Sequence, residues 1–348
     1  MNMAIVKINP LTDGRWMEFI THNKSANIFH HPAWLRVLNK QYNYPVAALC
    51  LLSSGNEISA GMPFCEVSGI SQRKKLVSLP FSDYCNPLYC TEQQMYEFSR
   101  LLMDEYCGRK SAPMEIFWGM PPEMGFNVTS THVYHVTELV KDEKALMKSF
   151  NRTKSQGIAK SIKQGLNVDF STDYNAIEIF YRLHLKTRKK LGVPIQPKRF
   201  FYHIYEEIIK NGLGFIVIIS KDNVEMAAGL FMGFNETLTY KYNASDPDYL
   251  EFRPNNLIIW AAMQEGIRKD FKYFDFGKSD IDNEGLRSFK DGWAAVEKPL
   301  YYSYVPLPAD GASFSFIKDK LIAPVIKSSP DFVCKLIGEV AYKYFPSI

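Results

Sequence analysis

"LGFIVIISKDNVEMAAGLFMGFNETLTYKYN" (213–243) decides how this chain is read. Runs of apolar, β-branched and aromatic residues at 213–220, 226–234 and 237–243 are broken only by short polar turns. Such spacing predicts three consecutive strands joined by hairpins. Downstream, Asn256 to Lys269 reads as a helix, and 272–276 and 299–305 as strands. Upstream, helices are expected at about 142–164 and 174–191.

The first half follows the same rhythm. "PVAALCLL" (45–52), "EISAGMPF" (57–64) and "KLVSLP" (75–80) read as strands, Glu92 to Cys107 as a helix, and 114–118 and 132–140 as strands. The residues echo each other too: "LLSSGNEISAGM" (51–62) and "IISKDNVEMAAGL" (218–230) are both a strand, a polar turn, and a strand carrying Ala-Gly. The expectation is an α/β (α+β) chain of two tandem domains with mixed sheets. Their ranges are 1–145 and 146–308, followed by a helical extension over 309–348. A shared cleft would be the natural substrate site.

At 348 residues, 46% apolar and 14% aromatic, the chain has ample material for buried cores. Its net charge of +4 argues against a dedicated nucleic-acid binder but leaves room for a local basic groove. Cys50, Cys65, Cys85, Cys90, Cys107 and Cys334 are scattered and form no CxxC pair, which fits a reducing cytoplasm. The N-terminus has no apolar core of signal-peptide length, and "LIIWAAM" (257–263) is too short to span a bilayer.

Two basic segments stand out. "KSFNRTKSQGIAKSIKQGLNV" (148–168) places Ile158, Ile162 and Leu166 on one face, with Lys148, Arg152, Lys154, Lys160 and Lys163 over the rest. A solvated face explains this as well as a phosphate track does. "YRLHLKTRKKLGVPIQPKRFF" (181–201) packs Arg182, Lys186, Arg188, Lys189 and Lys190 into nine residues. Helix capping accounts for one or two cations, so an anion-binding role is the sharper reading.

Several chemistries are missing. There is no GxSxG elbow and no P-loop. His132 and His135 are three apart in a strand, point to opposite faces and cannot share a metal. His30 and His31 precede Pro32 and suit a helix cap. His184 reads as a half-buried, satisfied core histidine. No metal site is expected.

In "NEGLRSFKDGWAAVEKPLYYSY" (283–304) a lysine stands between Phe289 and Asp291, just before the last strand. Together with "YKYNAS" (240–245), "RPNNLIIWAAMQEGI" (253–267) and "YFDFGKSD" (273–280), this stretch resembles the FemABX peptidyltransferases and related acyltransferases of the GNAT superfamily. The first half is similar more loosely, through "HHPAWLRVL" (30–38) and "LPFSDYCNPLY" (79–89).

The resemblance implies two GNAT-like domains and attack of an amine on an activated carboxyl to give an amide. Lys290 would stabilise charge on the reacting carbonyl, and Tyr242 would steady the same oxygen or relay a proton. Lys190 matches a cation that grips the acceptor's diphosphate, with Arg188 and Lys154 beside it. Asp83 is a speculative general base, and a turn-forming aspartate is the plainer reading. After Trp34, a substrate-side residue in the family, Leu38 replaces the family's lysine, with Arg36 and Lys40 nearby.

No bound cofactor is expected; the co-substrate would be an aminoacyl-tRNA or an acyl-CoA. GNAT enzymes that use acyl-CoA hold its pyrophosphate on R/Q-x-x-G-x-G/A, whose backbone N–H groups reach the phosphates. Here "RPNNLI" (253–258) has neither glycine. Asn255 or Asn256 would cap the helix, and Arg253 with these amides would replace part of the grip. The acceptor is expected to be a phosphate-bearing sugar or lipid-linked precursor of the cell envelope or an exopolysaccharide. "PDFVCKLIGEVAYKYF" (330–345) is either a helix docked on the body or a peripheral contact with the inner membrane face.

Overall fold

The computed structural model describes residues 4–68, 74–106, 112–306 and 323–344. They fall into two compact units. The first runs to Val133 and resumes at Pro299; the second runs from Tyr134 to Lys298 and includes the helices near the C-terminus. Cys107 and Phe345, the ends of two predicted helices, lie outside the described residues.

In the first unit the order is β1 (Val6–Ile8), α1 (Gly14–His22), α2 (Pro32–Tyr42), β2 (Val46–Leu52), β3 (Ile58–Ser68), β4 (Lys74–Val77), β5 (Leu88–Tyr89), α3 (Glu92–Tyr106) and β6 (Met114–Ile116). Strands β1 to β4 are antiparallel neighbours, β4 and β6 run parallel, and Ser303–Val305 pairs antiparallel with β6. The alternation of β2 and β3 puts Leu49, Leu51, Ala60, Met62 and Phe64 against Phe98, Leu101 and Leu102 of α3. At the start of α2, His31 Nδ1 accepts from Ala33 N, the cap its position before Pro32 suggested.

Strand β7 (Asn127–Glu138) carries the chain into the second unit, beginning five residues earlier than the sequence indicated. There follow α4 (Glu143–Ser149), α5 (Arg152–Lys163), β8 (Asn167–Ser171), α6 (Tyr174–Leu191), α7 (Lys198–Ile204), β9 (Gly214–Lys221), β10 (Val224–Phe234), β11 (Thr237–Ser245), α8 (Pro254–Arg268), β12 (Tyr273–Asp280), α9 (Glu284–Asp291), β13 (Val296–Val305), α10 (Ala323–Ser328) and α11 (Asp331–Tyr344). The single helix expected over 142–164 is two. Phe150 leaves helical geometry to enter the core, and the Asn151 side chain caps a new start by accepting from Lys154 N.

The meander β8–β9–β10–β11 is antiparallel throughout. Strand β12 runs parallel to β11 but pairs with it at only three positions, Thr237 to Thr239 against Tyr273 to Asp275. On one face, α8 lays Leu257, Ile258, Ala261 and Ala262 against Phe231, Leu238, Phe274 and Trp293. Each large aromatic buried here stabilises by about 1.5–3 kcal/mol. The other face holds Phe180, Phe200 and Phe201 from α6 and α7, all fully buried.

Candidate active site

A β-bulge sets the first part of the site. Leu230 pairs with Tyr242 but Phe231 with Tyr240, so Lys241 is the extra residue. The two tyrosines therefore face opposite sides of β11. Tyr240 stacks on Phe231, centroids 5.0 Å apart, in the core under α8. Tyr242 turns to the other face, 5.4 Å from the Phe201 ring and 5.9 Å from His184. His184 is buried rather than half-buried, shares a 2.9 Å hydrogen bond with Gln196, and is held down to about 3 by burial and then by Arg188.

Lys290 lies in the last turn of α9 and is 4% exposed. Its Nζ donates to the carbonyls of Gly277 (2.9 Å) and Lys278 (2.8 Å). The local sequence explains this clamp. Asp275 Oδ1 accepts from Gly277 N, and Gly277 takes φ +68, a conformation glycine adopts without strain. Lys290 is thus an enclosed, fixed cation.

Lys154, placed by the sequence either on a solvated face or on a phosphate track, is 8% exposed. The buried face of α5 is Lys154, Gly157, Ile158 and Ser161, while Ile162, assigned to the apolar face, is 58% exposed. Lys154 Nζ sits 3.8 Å from the centre of the Phe289 ring and 5.6 Å from that of Trp293. Gly292 is needed for this approach, since a Cβ there would lie 2.7 Å from Lys154 Cε. Burial first, and then the Arg253 charge, bring Lys154 down to about 8.

Lys154 also lines a cavity of about 300 Å³ with Thr153, Gln156, Lys160, Arg253, Asn256 and Phe289 at the first turn of α8. Three cations and no carboxylate face it. The helix start differs from expectation: Arg253, at φ +59, is the N-cap residue and makes no side-chain cap bond. Pro254, Asn255 and Asn256 form the first turn, where proline's fixed φ suits a helix start. Ser161 Oγ holds this turn, lying 2.9 Å from the Phe252 carbonyl and 3.0 Å from that of Arg253. Asn256 Nδ2 reaches the Lys154 carbonyl at 3.4 Å, and Asn255 Oδ1 is buried with no hydrogen bond.

The cations of α6 are mostly committed. Arg182 pairs with Glu225 (2.8 Å), Lys186 with Asp246 and Lys189 with Asp331 (3.0 Å). Arg188 donates to the Pro194 carbonyl and to Tyr342 Oη, fastening α11. Lys190 is exposed at the helix end. The structure brings Lys154, Arg253 and Asn256 together, and adds Lys160, which was noted only as a surface charge. The signal for this grouping was Gly157, a helix-interior glycine where a Cβ would meet Asn256 Nδ2 at 2.2 Å.

In the first unit Trp34 is fully buried, its indole N–H donating to Ser82 Oγ (3.2 Å), so it supports the loop from below. That loop carries Asp83, whose carbonyl accepts from Tyr302 Oη (2.8 Å). Leu79 and Phe81 both adopt positive φ there, which costs bulky residues about 1–3 kcal/mol each. Beside α9, His135 of β7 is fully buried with Asp291 and Glu297 near its Nε2. Burial and then the Lys290 charge lower its pKa, against the pull of the two carboxylates.

Comparison with known proteins accords with this geometry. Residues 148–290 match the family model described as an acetyltransferase (GNAT) domain. The crystal structure of FemX superposes with a TM-score of 0.72 at 12% identity, covering 90% of this chain and 100% of that one. The C-terminal domain of a putative lysylphosphatidylglycerol synthetase from Agrobacterium fabrum gives 0.57 at 12% identity, covering 90% and 96%. A tandem GNAT protein from the clavulanic acid biosynthesis pathway gives 0.52 at 7% identity, covering 89% and 100%. No curated protein sequence matches the chain. The chain thus contains a GNAT acetyltransferase domain over 148–290, within a fold like that of FemX over nine-tenths of its length.

Proposed function

We propose that this chain transfers an aminoacyl or acyl group to an amine of a phosphate-bearing cell-envelope or exopolysaccharide precursor, forming an amide. The observation that carries the reading is the cavity at the start of α8, where Lys154, Lys160 and Arg253 converge without a carboxylate. Such a site suits the phosphates of an activated-acyl carrier. The enclosed Lys290 ammonium would stabilise charge developing on the reacting carbonyl, with Tyr242 serving the same oxygen and Lys190 on the acceptor side. The amine's proton leaves to solvent or to the donor, so no dedicated base is required.

We favour aminoacyl-tRNA as the donor, because Pro254 has no N–H to donate and side chains where the glycines would stand keep a pyrophosphate from approaching the remaining backbone N–H groups. Acyl-CoA is the second reading, favoured by the cations standing at the same helix start. Titrating coenzyme A and acetyl-CoA by calorimetry, beside Arg253→Ala, separates them. Saturable heat that weakens in the variant selects acyl-CoA; no heat with CoA and retention of aminoacyl-tRNA on a filter selects the tRNA. If neither ligand binds, the assignment of the cavity fails.

A further inference from the structure

His135 projects from β7 and is fully buried, yet neither ring nitrogen has a hydrogen bond of acceptable geometry. Its Nε2 instead lies 3.2 Å from Asp291 Oδ1 and 3.2 Å from Glu297 Oε2. Neither carboxylate satisfies this nitrogen with a well-formed hydrogen bond, and a buried unsatisfied polar group costs about 1–3 kcal/mol. An orphan of this kind calls for a water, an ion or a chemical role.

The three ligand atoms all lie within 4.8 Å of one another. Around a tetrahedral ion with bonds of about 2.0–2.1 Å, ligand atoms stand about 3.3–3.4 Å apart, close to both His135 separations. We propose that His135, Asp291 and Glu297 bind a divalent transition-metal ion of the zinc type, which ties α9 to β7 and β13.

Other features fit a metal centre. Arg287 holds Glu297 from a second side, Nε to Oε2 at 2.8 Å and NH2 to Oε1 at 2.9 Å. A carboxylate has about four lone-pair sites, so it can accept these bonds and still ligate. Ligating carboxylates are commonly fixed in this way. Asp291, with its side chain 55% exposed, provides the way in. The Arg287 and Lys290 charges oppose any cation, which selects an ion that bonds to imidazole over Mg²⁺ or Ca²⁺, whose sites are built from oxygen. The ligands come from three elements, so no sequence spacing announces them.

The test uses untagged full-length chain, stripped with chelator and titrated with Zn²⁺ against a chromophoric indicator, with metal content measured after gel filtration. One zinc per chain is expected. Asp291→Asn, at a half-exposed position that leaves the core intact, and His135→Gln should each weaken it by at least about tenfold. Cys90→Ser, which removes an exposed thiol far along the chain, should retain the single equivalent. A wild-type chain that retains no zinc overturns the site, as does a zinc equivalent that persists unchanged in Asp291→Asn.

Discussion

A buried ammonium loses its hydration shell, and what replaces that shell shows how the charge is used. At Lys290 the replacement is two backbone carbonyls, which fix the cation in place. At Lys154 it is the faces of Phe289 and Trp293, which hold the charge more loosely. Lys290→Ala should therefore lower turnover on the order of a hundredfold. It should also cost about 1–3 kcal/mol in thermal unfolding, since the Gly277 and Lys278 carbonyls lose their donor. Unchanged turnover would remove Lys290 from the chemistry. For Lys154, brought down to about 8 from 10.5, the unfolded chain binds the proton more tightly. Its burial thus weakens the fold below about pH 8, and that penalty fades as pH rises towards 10.5. Phosphate affinity should run the other way, full below about pH 8 and falling above it. Calorimetry near pH 8.5 in two buffers of different ionisation heat should show proton uptake on binding. A flat pH profile without uptake would take Lys154 out of the grip.

Among the elements, the contact between α5 and α8 is the most demanding. Gly157 allows Asn256 to sit against α5, so Gly157→Ala forces Asn256 aside. Overpacking of this kind costs about 1–3 kcal/mol, and it should weaken anion binding as well. Adding Asn256→Ala should restore most of the stability but not the binding, and a double-mutant cycle measures the coupling. Additive losses would show that the two residues do not interact. This contact also marks how far the sequence could be read. The meander and α8 were legible because periodicity is a local property, and the Phe-Lys motif through the resemblance to the FemABX family. The break at Phe150 was not, because a single aromatic drawn into the core overrode a helical pattern. Nor was the reversal of Tyr242, since nothing in "YKY" reveals that Lys241 is the bulged residue. Lys154 was a candidate from the sequence, but its burial was not foreseen, because its partners Phe289 and Trp293 lie more than a hundred residues away.

For the molecule as a whole, the surface of the C-terminal helix bears on where the chain works. Cys334, Ala341 and Tyr342 dock α11, while Phe332, Leu336 and Val340 project at four-residue spacing, each more than 60% exposed. Among the described residues no helix is long and apolar enough to cross a membrane. A surface contact is what such a stripe can provide. Phe332→Ser with Leu336→Ser should abolish co-sedimentation with anionic liposomes while changing the melting temperature little. Equal sedimentation of both proteins would leave the stripe without a membrane role.

The walls of the α8 cavity have one more consequence. Backbone amides persist whatever side chain is substituted, so a glycine-rich grip is hard to alter by mutation and hard to redirect. In the proposed site the grip rests on side chains, Lys154, Lys160, Arg253 and Asn256, each changeable by a single codon. A scaffold of this kind is evolvable at its proposed donor site: relatives could exchange one carrier for another by replacing the cavity's cations, with the fold and the Lys290 clamp left untouched.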